Sequence, residues 1–569
     1  MPEPVLKRTR AQESRAAIER LYIIMRHLFI RGGYKPMGVS GEALVEALLT
    51  LSPEIYGSIA DPQRVEVDGL LYIIDRLPRG IEECRFIRLV SMEGMDNSGF
   101  DVIIPPKRRR NCYRIDEEQI YIELTRGRSD IYDILTHLTF LYVEAGKILR
   151  NSIDAKGAYE RDWKMLKNVV EAEDRGEEID FPRAFSYLST VMGCTYEEAK
   201  VSYDMFAADP SRNSIFHFVY WLGKLAIDEQ KGNKSTKESK DREITFSAKL
   251  RERIGHHLYG EQWATNIKSF IFENGLIERP VHIISANLHS VMNVLYAKAA
   301  LENEYPDHSL DDMAKMLSLA ENSALREKVH QYAKKNGMSE LVQTSGTNLI
   351  VQIIDTEHLN LDSVPSSIHI NKGYLKKHKP LIIVMDYAFG EQAYEAMDEL
   401  LKPLEIDGES KTLNVVSISI MGKAGILEGD KGDIMVPNAH VFEGTADNYP
   451  FHNELSKEDF EGNGLLVCEG PMVTVLGTSL QNKDILKYFL ESSWKAIGLE
   501  MEGAHYQKAI QSAAKVRKSI SNEVKVLYAY YASDNPLLTG KTLSSGGLGL
   551  DGVKPTYLIT QKILERIFE

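Results

Sequence analysis

The predicted fold class is α/β: a C-terminal mixed sheet with flanking helices, preceded by a mainly α-helical domain and a small α/β module. Three features predict it. Residues 10–228 are dominated by apolar residues at three- and four-residue spacing. The stretch EQKGNKSTKESKDRE at 229–243 then carries no apolar side chain. From Lys379 onward, six short apolar runs alternate with helical stretches, the order that builds a sheet with helices on its faces.

Taken in order, RAAIERLYIIMRHLFI, SGEALVEALLTL, DIYDILTHLTFLYVEAGKIL, FPRAFSYLSTVM and SIFHFVYWLGKLAI predict the helices of a first domain, 1–228. Between them GLLYIIDRLP, CRFIRLVSM and QIYIELT are short and rich in β-branched and aromatic residues, so they predict strands of a small inserted sheet. Residues 229–243 read as a charged linker or mobile loop, because nothing in them can be buried. The strand PVHIISAN, the helix HSVMNVLYAKAALENE and the strand NLIVQIIDT make a small α/β module over 244–370. KPLIIVMDY, LNVVSISIMG, GDIMVP, GLLVCEGPMVTVLG, AIGLEME and VKVLYAYYASD are the expected strands of a final domain, 371–569.

Composition narrows the function. The chain has 569 residues, 43% hydrophobic and 26% charged, which suits a globular protein and excludes disordered, collagenous and disulfide-scaffold classes. A net charge of −14 opposes non-specific binding to nucleic acid or anionic membranes, so a small-molecule ligand is expected, with no nucleic-acid or membrane partner. Cys84, Cys112, Cys194 and Cys468 form no CxxC pair. Together with the absence of a signal-like apolar core in MPEPVLKRTRAQESR, this predicts a cytoplasmic protein.

In sheets covered by helices, ligands bind at the carboxyl ends of strands, so functional residues are expected just after each apolar run. VVSISI is followed by MGKAGIL, where Gly422, Ala424 and Gly425 permit close backbone approach beside Lys423. KGDIMVPNAHVFEG, GPMVTVLGTSLQN, IGLEMEGAHYQKAI and YAYYASDNPLLTGK follow in that order. The ordered set, over about residues 380–569, resembles the nucleoside phosphorylase and nucleosidase superfamily. SDNPLLTGK and GKAGILEGDKGDIMVPNAH are most similar to AMP nucleosidases. The N-terminal part shows no match to that family's own N-terminal domain, so phosphate recognition is not carried over.

The resemblance implies hydrolysis of the N-glycosidic bond of a purine nucleotide or nucleoside, with no metal and no cofactor, by a homo-oligomer. It implies that Asp534 protonates the departing base, which asks for a carboxyl that holds its proton. It implies that Glu502 accepts hydrogen bonds from ribose hydroxyls, that Met501 packs on the sugar, and that Thr478, Ser479 and Gln481 line the base pocket. Glu391 is the expected activator of the attacking water, with Asp386 as its rival. Each residue also has an ordinary reading: turn chemistry for Asp534, first-turn carboxylates for Glu502 and Glu391, core packing for Met501. Asp433 is expected to serve loop geometry, and Lys423 is either exposed or a phosphate ligand. The alternatives are a phosphate-dependent purine nucleoside phosphorylase and a nucleotide-sensing or scaffold protein with an inactive domain.

KRRRNCYR at 107–114 and TRGRSD at 125–130 concentrate positive charge, for which local salt bridges or an oligomer contact are expected ahead of a phosphate-bearing ligand. His137, His256, His257, His282 and His289 lack metal-ligand spacing. SANLHSVMN is a strand-to-helix turn and a possible second crevice by the same strand-end rule.

Overall fold

Helical periodicity becomes helix wherever the expected stretches also carry caps. A computed structural model describes residues 8–95, 98–108, 110–235, 240–342, 344–406, 408–539 and 548–569. Two compact units result: Met1–Thr125, Asp130–His256 and Ser479–Asn482 make the first, and Arg126–Ser129, His257–Thr478 and Lys483–Glu569 the second. No described helix is long and apolar enough to cross a membrane.

The first unit contains α1 (Arg10–Arg31), α2 (Val39–Leu51), α3 (Val67–Ile74), α4 (Gly127–Ser152, from its fourth residue), α5 (Arg161–Asp174), α6 (Phe181–Met192), α7 (Tyr196–Ala207), α8 (Ile215–Ser235) and α9 (Ala248–Gly255). Reciprocal capping by Thr9 with Gln12 and by Thr195 with Glu198 starts α1 and α7. Its strands are β1 (Gly33–Tyr34), β2 (Phe86–Val90), β3 (Val102–Ile103), β4 (Cys112–Arg114), β5 (Gln119–Glu123) and β6 (Glu243–Phe246), in sheet order β1-β6-β2-β5-β4-β3. CRFIRLVSM and QIYIELT supply β2 and β5 as expected. GLLYIIDRLP does not: it forms α3, because Leu70 and Ile73 are buried at helical spacing and Gly69 lies under the Phe140 ring.

The expected linker is also structured in part. Helix α8 runs on to Ser235, and residues 236–239 lie outside the described set. Glu229 and Arg242 meet at 2.8 Å with side chains only 1% and 2% exposed. Opposite charges that neutralise each other can be buried where composition alone reads as solvated. The unit then continues to His256, past the expected boundary.

In the second unit the strands are β7 (Pro280–Ser285), β8 (Met338–Leu341), β9 (Val351–Asp355), β10 (Leu381–Met385), β11 (Leu404–Ile406), β12 (Glu409–Lys411), β13 (Asn414–Ile426), β14 (Ile434–Phe442), β15 (Asn448–Pro450), β16 (Val467–Thr474), β17 (Gly498–Glu500) and β18 (Lys525–Asp534). Its helices are α10 (Leu258–Glu273), α11 (Leu288–Leu301), α12 (Leu310–Ser318), α13 (Ser323–Lys335), α14 (Lys372–His378), α15 (Gln392–Leu400), α16 (Lys483–Glu491), α17 (Gly503–Gln511), α18 (Pro536–Thr539) and α19 (Val553–Phe568). The main sheet runs β15-β14-β16-β17-β13-β7-β10-β9-β8, with β18 paired to β13 and β14.

The boundary expected at 370/371 is therefore absent. β7 lies between β13 and β10, so the stretch expected as a separate module and the final domain share one sheet. Crossover connections make neighbours of strands that are distant in sequence, and no local composition change marks this. Along β10, Ile382 and Val384 join one apolar cluster, while Leu381, Ile383 and Met385 join another, so both faces of the sheet are covered. On the other side β13, β18, β14, β16 and β17 close a ring of pairings. Gly498 lies where this ring is tightest: a Cβ there would stand 2.6 Å from the Gly425 carbonyl oxygen.

Candidate active site

β7, β10, β13 and β18 are successively parallel, so their carboxyl ends open on one edge of the sheet. The expected glycine turn is not a turn. Gly422, Lys423, Ala424 and Gly425 are the later part of the 13-residue β13, because three small residues let β18 and β17 pair with it from both sides. The β13/β18 register runs Ala424 to Ala532 and then Gly425 to Asp534, leaving Ser533 as a bulged residue. A bulge re-aims the side chains beside it. Ser533 Oγ donates to the Ala424 carbonyl at 3.1 Å and lies 2.7 Å from Asp534 Oδ1. Asp534 Oδ2 is buried with no hydrogen-bond partner among the described residues. Burial raises the Asp534 carboxyl above its usual range, against the Ser533 hydroxyl and the charge of Lys423.

Between β17 and α17 the EME segment turns sharply. Glu500 is buried, and its Oε2 accepts the backbone N–H groups of Glu502, at 2.5 Å, and Gly503. Thr474 Oγ1 donates to Glu500 Oε1 at 2.5 Å, and His440 Nδ1 lies 3.4 Å from the same oxygen. Burial alone would raise Glu500; the neighbouring His440, the Thr474 hydroxyl and the Gly503 N–H instead hold it below the usual carboxylate range. Glu502 behaves in the opposite way. Its Oε1 accepts the Gly390 N–H at 2.8 Å and its Oε2 lies 3.3 Å from the Met501 nitrogen. Burial and then the charge on Glu500 push Glu502 up to about 8. Met501 is buried, with its Cε 3.7 Å from where a Cβ on Gly390 would stand.

Glu391 is the N-cap residue of α15, and its carboxylate pairs with Arg128 Nη1 at 2.8 Å. It therefore sits one residue from Gly390 and Glu502, already bound to a cation. Asp386, the rival, accepts the Tyr387 N–H at 2.8 Å and lines a separate groove of about 550 Å³ with His289, Arg326 and Gln352. Lys423 is exposed and faces a cavity of about 600 Å³. That cavity is also lined by Arg326, by the Asn287–Ser290 start of α11 and by Asn293, with no Asp or Glu among the described lining residues. SANLHSVMN is thus at a crevice.

Thr478 belongs to the second unit, and its buried Oγ1 has no partner among the described residues. Ser479 and Gln481 are grouped with the first unit, and Asp534 with the second. The Gln481 carboxamide is buried and without a hydrogen-bond partner among the described residues, while its carbonyl accepts the Glu54 N–H at 3.1 Å. Asp433 serves the loop, accepting the N–H groups of Asp430 at 2.7 Å and Leu466 at 2.9 Å.

Sequence reasoning missed Glu500, His440 and Gly390. The first two were visible only as the leading residue of EME and the end of PNAH, and nothing local signals that they meet. Gly390 had a signal: a glycine directly before a helix, here at φ +55°. The basic runs form salt bridges: Arg108 with Asp133, Arg110 with Asp130 and Asp133, Arg114 with Glu83. Arg109 lies outside the described residues. Among the described residues, Glu82, Glu83 and His217 alone bring three potential metal donors within 4.8 Å of one another. They are already engaged, His217 Nε2 with Glu83 Oε1 at 2.7 Å and Asn213 Nδ2 with Glu82 Oε1 at 2.6 Å.

The second unit is thus an α/β fold with the Asp534 carboxyl, raised by burial, at the carboxyl end of β18 and the Glu502 carboxyl, pushed up to about 8, at the start of α17. The chain belongs to the family described as "Family of unknown function (DUF6909)", which matches residues 42–305 and 314–569. No curated protein matches the chain. Among solved structures it is similar to a futalosine hydrolase mutant of Helicobacter pylori strain 26695, at 13% identity and TM-score 0.30 over 51% of this chain and 99% of that one. It is similar to the 5'-methylthioadenosine/S-adenosyl homocysteine nucleosidase of Campylobacter jejuni, at 11% identity and TM-score 0.30 over 51% and 99%. A third is a putative methylthioadenosine nucleosidase from Weissella paramesenteroides, at 14% identity and TM-score 0.28 over 51% and 98%.

Proposed function

We propose that the chain cleaves the N-glycosidic bond of a purine nucleoside or nucleotide. The observation that carries this reading is the Asp534 carboxyl at the end of β18, beside the Ser533 bulge, whose buried Oδ2 has no hydrogen-bond partner among the described residues and which burial raises above its usual range. Bond breaking leaves positive charge on the ribose and negative charge on the base, so an acid is needed at the base and an anion at the sugar. Asp534 gives its proton to the base as the C–N bond breaks. Glu502 accepts hydrogen bonds from the ribose hydroxyls. In hydrolysis the water oxygen bonds to the anomeric carbon, and the proton it loses restores Asp534. The role of Glu391 is to orient that water, with its own charge shared with Arg128.

A specific observation favours a second reading, phosphorolysis. Glu391 is already ion-paired, whereas the Lys423 cavity presents cations and a helix N-terminus without a carboxylate among its described lining, an arrangement suited to inorganic phosphate. The test is chromatographic release of free base from AMP, adenosine, inosine and GMP, with and without phosphate, comparing the intact chain with Asp534→Asn. Release without phosphate that the variant loses supports hydrolysis; release only with phosphate supports phosphorolysis. No release under either condition sinks both and leaves a binding role.

A further inference from the structure

Apart from the Arg128–Glu391 pair, the TRGRSD run is not used by the chemistry above, yet Arg126, Arg128 and Ser129 all touch the site loop. Arg126–Ser129 are grouped with the second unit, although the chain on both sides of them is grouped with the first. Arg126 stacks its guanidinium 4.8 Å above the Phe389 ring. Arg128 Nη1 binds Glu391 Oε1 at 2.8 Å, and the Glu391 N–H donates to Ser129 Oγ at 2.8 Å. Two glycines make this approach possible. A Cβ on Gly390 would stand 2.3 Å from Ser129 Oγ, and one on Gly127 would stand 2.9 Å from Glu395 Oε1. Both glycines have left-handed backbones, at φ +55° and +69°. The loop so held is the one whose Gly390 N–H binds Glu502 Oε1 at 2.8 Å.

We propose that Arg128 and Ser129 are positioning residues that clamp the β10–α15 loop, so that Gly390 and Glu391 are presented to Glu502 in one geometry. The reasoning is mechanical and electrostatic. Gly390 in the left-handed region is free to adopt many conformations, and a hydroxyl bond on one side with a charge pair on the next residue removes that freedom. Neither Arg128 nor Ser129 needs to touch a ligand for this. The inference gives the TRGRSD run a role in the site and rests on the proposed glycosidic activity only for its kinetic consequence.

The experiment uses the full chain and needs no substrate for its first readout. Amide hydrogen exchange across residues 386–392 is compared in wild type, Ser129→Ala, Ser129→Thr, Arg128→Gln and Arg128→Lys. The clamp predicts exchange at Gly390 and Glu391 at least tenfold faster in Ser129→Ala and Arg128→Gln, with β13 and β18 unchanged. Ser129→Thr and Arg128→Lys are expected to recover most of the protection. Base release should then lose kcat and raise KM in Ser129→Ala and Arg128→Gln and recover in the conservative variants, because the loop positions Glu391 toward the water and Glu502 toward the ribose hydroxyls. Wild-type exchange in both truncating variants overturns the clamp, as does equal loosening of the whole unit in all four variants. If wild type cleaves nothing while the exchange pattern holds, the glycosidase reading fails and the clamp stands.

Discussion

Glu500 and Glu502 are two residues apart and keep their protons in opposite order, the buried Glu500 ionised beside His440 and Glu502 protonated up to about 8. Glu500 builds the start of α17, while burial first and then the charge of Glu500 keep Glu502 neutral. Splitting of this kind between neighbouring carboxyls marks sites at which one group must change charge during work.

The first prediction concerns stability against pH. Glu502 has a folded value of about 8 against an ordinary 4.5, so its proton stabilises the fold fully below 4.5 and this contribution is lost as pH rises through about 8. Glu502→Gln carries no such proton. Its melting temperature minus that of wild type should therefore grow from pH 5 to pH 9 and level off above about 8, and in a Glu500→Gln background the growth should be smaller and level off at lower pH. Growth of the same size over the same range in that background would remove Glu500 as a cause.

Asp534→Asn should reduce base release on the order of 10²- to 10⁴-fold, the usual worth of a positioned acid. Its melting temperature should not fall, because Asp534 Oδ2 has no partner to lose among the described residues. Steady-state rates and calorimetry on the same preparation check both halves; a stable variant with full activity would free Asp534 of the role.

Two glycines near the site should respond differently to alanine. A Cβ on Gly503 would stand 2.2 Å from His440 Cε1 and 2.8 Å from Glu500 Oε1, whereas on Gly422 it meets nothing closer than 3.7 Å. Gly503→Ala is expected to cost about 1–3 kcal/mol by overpacking. Gly422→Ala should leave the urea midpoint nearly unchanged.

In the first unit, Glu229→Ala should destabilise by about 3–5 kcal/mol, because it leaves Arg242 charged and buried. Replacing both residues by Met should recover most of that loss in denaturant unfolding. Additive single-site losses would show that the two do not act as a pair.

Legibility differed by element. The runs that became β7, β9, β10, β13, β14, β16, β17 and β18 were visible because each is apolar and short, a signal that survives without tertiary information. The run GLLYII misled because a short apolar stretch fits a strand or a buried helix equally, and the Phe140 ring over Gly69 decided for helix. Ser479 and Gln481 were expected to line the base pocket by resemblance alone, and their segment is grouped with the first unit.

The sequence by itself determined the long amphipathic helices of the first unit and the apolar strands of the second, but not α3, and it marked Asp534, Glu502 and Glu391 as residues at strand and helix ends. Local periodicity and turn chemistry carry that information within a window of a few residues. Only the tertiary structure decided that β7 joins β13 in one sheet, that Ser533 bulges, that His440 meets Glu500, and that Arg128 holds Glu391. Those are pairings between residues tens to hundreds of positions apart. They are chosen by burial, hydrogen bonding and charge once the sheet has formed, and no segment read alone contains both partners.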